Sequence, residues 1–153
     1  FVYTIPVLSI NREGVSGTGL EYQIRWQPIE KLNLTCSYAY LDMTDREGEP
    51  ILYRSKHSGQ INLHYKMPLI DAHLGLQAWS KQIYEDFLDE NHFDFPIREL
   101  PQRIITEISF SKKMNAITTS IYCLNLFDIQ YELIQGFPMP GRTWKLTLSK
   151  TFN

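Results

Sequence analysis

Residues 125–153 read NLFDIQYELIQGFPMPGRTWKLTLSKTFN. From Thr143 to Phe152 the chain alternates residue by residue. Trp144, Leu146, Leu148 and Phe152 fall on one face, and Thr143, Lys145, Thr147, Ser149 and Thr151 on the other. A two-residue period is that of a β-strand, whose successive side chains point to opposite faces. A loop rich in Gly and Pro, GFPMPGR at 136–142, precedes this strand, and another strand precedes the loop. The fold turns on whether this closing hairpin sits in water or in a membrane.

The same period runs through the rest of the chain. Leu20, Tyr22, Ile24 and Trp26 alternate with Glu21, Gln23, Arg25 and Gln27. After a turn at Pro28–Lys31, Leu32, Leu34, Cys36, Tyr38 and Tyr40 alternate with Asn33, Thr35, Ser37 and Ala39. Ile61, Leu63, Tyr65 and Met67 alternate with Gln60, Asn62, His64 and Lys66; Ala72, Leu74, Leu76 and Ala78 follow. Two further strands are expected near Arg103–Lys112 and Ala116–Leu126. No helical period is sustained anywhere, so the chain is expected to be all-β.

Composition narrows the classes. Lys+Arg 15 against Asp+Glu 17, with no basic stripe, gives no sign of a nucleic-acid partner. The length suits one domain spanning 1–153. No apolar run approaches the roughly 18 residues of a membrane-spanning helix. A mean hydropathy of -0.27 resembles that of a soluble protein, yet barrel strands dilute each apolar residue with a polar one and escape that test. The opening FVYTIPVLSI reads as the middle of a strand and not as a signal peptide, so a piece of a longer chain is expected. Cys36 and Cys123 are too few for a disulfide framework; both fall in the apolar register, as buried or lipid-facing thiols.

Connection lengths discriminate further. In order they run short, long, short, long, short, long: Pro28–Lys31, Asp42–Ser55, Pro68–Asp71, Ile83–Pro101, Lys112–Asn115 and Asp128–Gly141. Outer-membrane barrels alternate in this way, with short turns at one end and longer loops at the other. Aromatic residues near strand ends (Trp26, Tyr38, Tyr40, Tyr65, Phe110, Trp144 and Phe152) suit a membrane interface. Alternation alone serves a soluble lipocalin-like barrel equally well, because it does not say which face is inside.

The last thirty residues or so carry a resemblance. Asn125, Leu126, Phe127 and Asp128, then Tyr131 and Glu132, then Gly136, Phe137, Pro138, Pro140, Gly141 and Arg142, and the run to Phe152, resemble the closing pattern of the TonB-dependent outer-membrane receptors. Upstream, NREGVSGTGLEYQIRWQP, SYAYLD and RSKHSGQINLHY are similar to earlier strands of that family. The pattern departs at Thr147 and Lys150, and in Asn153 following Phe152. The resemblance implies the C-terminal portion of an antiparallel transmembrane β-barrel: about seven to eight strands of a barrel of about 22, without its plug domain. It implies location in the bacterial outer membrane and uptake of a scarce, bulky nutrient of the ferric siderophore or corrinoid class. The implied partners are outer-membrane lipid, the plug domain of the full-length chain, the TonB complex and the small-molecule ligand. The alternative is a stand-alone eight-stranded barrel, either an adhesion module or a lipocalin-like carrier.

The closing motif reads as structural. Gly136 and Gly141 permit backbone angles that other residues resist, Pro138 and Pro140 stiffen the loop, and Asp128 is expected to cap a turn through its own backbone amides. In the insertion at 83–101, acidic Glu85, Asp86, Asp89, Glu90 and Asp94 lack calcium-loop spacing. Its rings, Tyr84, Phe87, Phe93 and Phe95, with His92, are the candidates for ligand contact over a barrel mouth. His57, His64, His73 and His92 show no metal-ligand spacing. No nucleophile elbow and no positioned acid and base occur, so no catalytic residue, metal or cofactor is expected.

Overall fold

The computed structural model describes residues 14–86 and 95–151. They form eleven strands and no helix: β1 (Ser16–Ile29), β2 (Leu32–Thr44), β3 (His57–Lys66), β4 (Asp71–Trp79), β5 (Gln82–Glu85), β6 (Ile97–Leu100), β7 (Arg103–Met114), β8 (Ile117–Leu124), β9 (Glu132–Ile134), β10 (Phe137–Pro138) and β11 (Thr143–Lys150). Seven of them make one antiparallel sheet in the order β1-β2-β3-β4-β7-β8-β11. That order is a plain up-and-down meander, interrupted only by the small ribbons β5–β6 and β9–β10. A strand expected before residue 14, and Phe152 of the closing strand, lie outside the described residues.

The connections alternate as the sequence requires. Residues 30–31, 67–70 and 115–116 turn at one end, and 45–56, 80–102 and 125–142 span the other. In the turn at 115–116, Asn115 adopts φ 54°, the left-handed angle that a two-residue hairpin asks of its first residue. The β1–β2 ladder slips between Trp26 and Ile29, where Pro28 has no amide to offer. Within the long insertion, β5 and β6 pair from Gln82↔Leu100 to Glu85↔Ile97, so a stretch that shows no clear period in sequence continues the β4–β7 hairpin as a ribbon.

Register joins the alternating strands into one surface. Trp26, Leu34, Leu63, Leu74, Ile108, Cys123 and Trp144 are successive cross-strand partners, one from every strand of the sheet. A second apolar row, Leu32, Tyr65, Ala72, Phe110, Ile121 and Leu146, lies beside it. The first row begins near the short-turn end of β1 and finishes one residue from the long-connection end of β11. A hydrogen-bonded row that climbs in this way is the stagger that strand tilt imposes on a barrel wall. Strands of 8 to 14 residues, at ~3.3 Å per residue and tilted near 45°, rise about 19 to 33 Å along the membrane normal, a range that brackets the apolar band of an outer membrane, about 25 Å tall.

Nothing covers the apolar face among the described residues. Buried hydrophobic residues number only Tyr84, Leu100 and Cys123, whereas Leu20, Trp144, Leu146 and Leu148 stand 63–67% exposed. The chain exposes 12382 Å², against roughly 8,000 Å² for a compact monomer of its mass. This sheet is a wall and not a layer folded over a core. Cys36 and Cys123 are both free. They sit on β2 and β8, four strand spacings or about 19 Å apart, far beyond the reach of a disulfide.

Candidate functional site

The opposite face of the sheet is mainly polar through its middle. Gln23, Ser37, Gln60 and Gln77 form one register row, which ends in Ile105; Arg25, Thr35, Asn62, Gly75 and Glu107 form the next. Gly75 is the small member for a reason: a Cβ there would come within 2.7 Å of the Glu107 side chain, which lies across it. Nearer the short turns His64 and His73 are cross-strand partners with rings stacked at 4.3 Å, and His73 Nε2 lies 3.3 Å from Asn62 Oδ1. Among the described residues no three metal-ligating side chains converge.

The three long connections are laced to one another over one end of the sheet. The Tyr53 amide donates to the Ile83 carbonyl at 2.8 Å, Gln82 Nε2 donates back to the Tyr53 carbonyl at 3.1 Å, and Tyr53 stacks on Tyr84. Burial pushes the Tyr53 phenol above its ordinary range. Ser55 Oγ donates to the Ser80 carbonyl. Asp86, itself buried, accepts from Gln135 Nε2 at 2.6 Å through one oxygen and pairs with Arg98 Nε at 2.7 Å through the other. The described residues of 45–56, 80–102 and 125–142 therefore form one connected roof.

At the junction of roof and wall stand Trp79 and Arg103, cross-strand partners on the polar face. The guanidinium carbon of Arg103 lies 4.9 Å from the centre of the Trp79 ring, and its NH1 donates to Gln82 Oε1 at 3.1 Å. Arg103 is only 5% exposed, so the cation is held by a ring and an amide. A cleft of about 350 Å³ opens beside it, between the polar face and the last connection, with Trp79, Glu107, Tyr131 and Met139 in its lining.

The closing motif is a clip. Asn125, 4% exposed, adopts φ 51° and ends β8. Its amide nitrogen donates to the carbonyls of Ile129 and Pro140, at 2.9 and 3.3 Å, while its oxygen accepts the Ile129 amide at 2.9 Å. Asp128 does not cap its own turn; its carboxylate accepts the Arg142 amide, fourteen residues on, at 2.7 Å. Gly136 takes φ 78°. Gly141 is required for space and not for backbone angle, because a Cβ there would meet Asp128 Oδ1 at 2.6 Å. Pro138 lies in β10, and Phe127 is 67% exposed. Leu126 donates its amide to the Thr106 carbonyl, tying the motif to β7.

Of the rings expected over the mouth, Tyr84 is buried under Tyr53 and Phe95 is half exposed. Phe87, His92 and Phe93 lie outside the described residues. Sequence reasoning passed over Tyr53, Gln82, Arg103 and Trp79. Their only signal was position: Trp79 and Arg103 flank the longest connection.

No protein-family model matches the chain, and no curated protein does. Solved structures do. The ferripyoverdine receptor FpvA of Pseudomonas aeruginosa superposes with a TM-score of 0.78 at 12% identity, over 88% of this chain and 19% of that one. The copper transporter OprC gives 0.71 at 16% identity, over 90% and 24%. The FrpB iron transporter of Neisseria meningitidis gives 0.67 at 11% identity, over 88% and 23%. The chain thus spans about a fifth to a quarter of the length of these neighbours, which are transporters and receptors and not enzymes. Its fold is that of the barrel wall of TonB-dependent outer-membrane receptors.

Proposed function

We propose that the chain is a sector of barrel wall, with three outer connections, in an active transport receptor of the bacterial outer membrane. One observation carries this reading: seven strands present an unbroken apolar row on one face and a polar face on the other, under a laced roof at one end only. In water such a face is a large exposed apolar patch; in lipid it is the satisfied surface, and only a closed barrel of strands leaves no edge unpaired. Among the described residues the sheet does not close on itself, since β1 and β11 stand at its opposite edges. That favours a sector of a larger barrel of about 22 strands over a stand-alone eight-stranded one.

In this reading the polar face lines the lumen against a plug domain of the full-length chain, and force delivered through TonB releases the cargo. The neighbours handle ferripyoverdine, copper and iron; the first supports a scarce, bulky nutrient of the ferric siderophore class, and the corrinoid alternative rests on the sequence resemblance alone. The roof and the cleft beside Arg103 supply the wall's share of ligand contact, with Phe95 at its exposed edge. Deleting the gene that encodes the full-length protein should abolish uptake of one labelled ferric chelate or corrinoid at nanomolar supply. An uncoupler of the proton gradient should do the same in the wild type. Uptake that survives both treatments for every chelate and corrinoid offered would refute the assignment.

A further inference from the structure

The two ends of the wall carry different charge. At the short-turn end Lys31, Lys66, Lys112, Lys113 and Lys150 stand against Glu30 and Asp71. The long connections show no such excess of base; 125–142, for example, holds Asp128 and Glu132 against Arg142. Placement matters more than number. Lys112 is in register with Thr119 and Leu148, and Lys150 with Ile117 and Met114, so both emerge from the apolar face itself. Lys31 sits in the first turn, its carbonyl accepting the Lys66 amide at 2.8 Å. Lys31, Lys66, Lys112 and Lys113 are exposed and form no ion pair among the described residues.

A lysine at the border of an apolar surface lays its carbon stem along that surface and lifts its ammonium to the polar boundary. Here the turns that carry the lysines are spread from β1 to β8, about 24 Å at the usual strand spacing, which is wider than one lipid headgroup. We propose that this short-turn rim is a docking surface for anionic phospholipid headgroups in the leaflet that it meets. The phosphate diester is the complement of choice because Lys112 and Lys150 rise from the apolar band itself: a lipid can fill both at once, its chains on the Trp26–Trp144 row and its phosphate at the lysines. A soluble acidic protein could reach the turn tips only. The inference rests on the outer-membrane reading above.

Trp26 makes it testable, since it lies on the apolar face close to the first short turn. The full-length protein is placed in bilayers that contain brominated phosphatidylglycerol or brominated phosphatidylethanolamine. The quenching that disappears in a Trp26→Phe variant reports the lipid at this rim. The relative binding constant for phosphatidylglycerol should be about fivefold, the scale of one lysine near an anionic surface. It should fall to near one in Lys31→Gln, and in high salt, which screens exposed charges. Equal quenching by both lipids in the unmodified protein would overturn the docking surface while leaving the membrane placement intact. Absence of Trp26 quenching by either lipid would overturn the membrane placement, and the docking surface with it.

Discussion

Replacing Asn125 tests whether the closing motif is a clip. The side chain is 4% exposed, makes three hydrogen bonds to the backbone of 129 and 140, and sits on a left-handed residue at φ 51°. In Asn125→Ala each bond forfeits about 1 kcal/mol net, and alanine in the left-handed region costs about 1 kcal/mol more. The local loss is then about 4 kcal/mol, close to three orders of magnitude in an opening equilibrium. Asn125→Gly loses the same bonds without the backbone penalty, so its effect should be several-fold smaller. The assay is amide exchange, by mass spectrometry on the full-length protein, at Arg142 and Met139. Arg142 donates to Asp128 and Met139 to Tyr131, so neither amide touches Asn125 itself. Exchange at both should accelerate by two to three orders of magnitude in the alanine variant. A change of less than threefold at both amides would refute the clip and leave Asn125 as a local turn residue.

Two further substitutions follow from the same geometry. Gly141→Ala drives a methyl into Asp128 Oδ1 and should cost about 1–3 kcal/mol by breaking the bond to the Arg142 amide. The penalty should largely vanish in an Asp128→Ala background, which a double-mutant cycle on unfolding free energy measures directly; additive penalties would contradict it. On the wall, Leu74→Arg places a charge in the middle of the apolar row and should destabilise the protein in bilayers by about 2–4 kcal/mol. Gln60→Arg, on the polar face of the adjacent strand, should stay within about 0.5 kcal/mol. Equal losses for the two would mean that the faces are assigned the wrong way round.

The wall was legible because its information is local. Alternation at Leu20–Gln27 or Ile61–Met67 needs only neighbouring residues, and the alternating connection lengths need only the positions of turns. The roof was not, because its partners are set by register and not by spacing in the chain. Arg103 meets Gln82, twenty-one residues away, and Gln135 meets Asp86 at forty-nine. Tyr84 illustrates the gap: an aromatic ring in a polar insertion looks available, and only the fold shows Tyr53 lying over it. Asp128 illustrates it again, since its nearest amides were its expected partners until the last connection returned Arg142 to its side.

By itself, then, the sequence determined the strands, their two faces and the distinction between the short and long ends, because a two-residue period and turn chemistry are properties of adjacent residues. Tertiary structure alone decided which side chains meet. Cross-strand register and the returning connections bring distant residues into contact, placing a buried cation on a tryptophan ring, a carboxylate on a remote amide and a row of apolar residues from seven strands on one continuous surface.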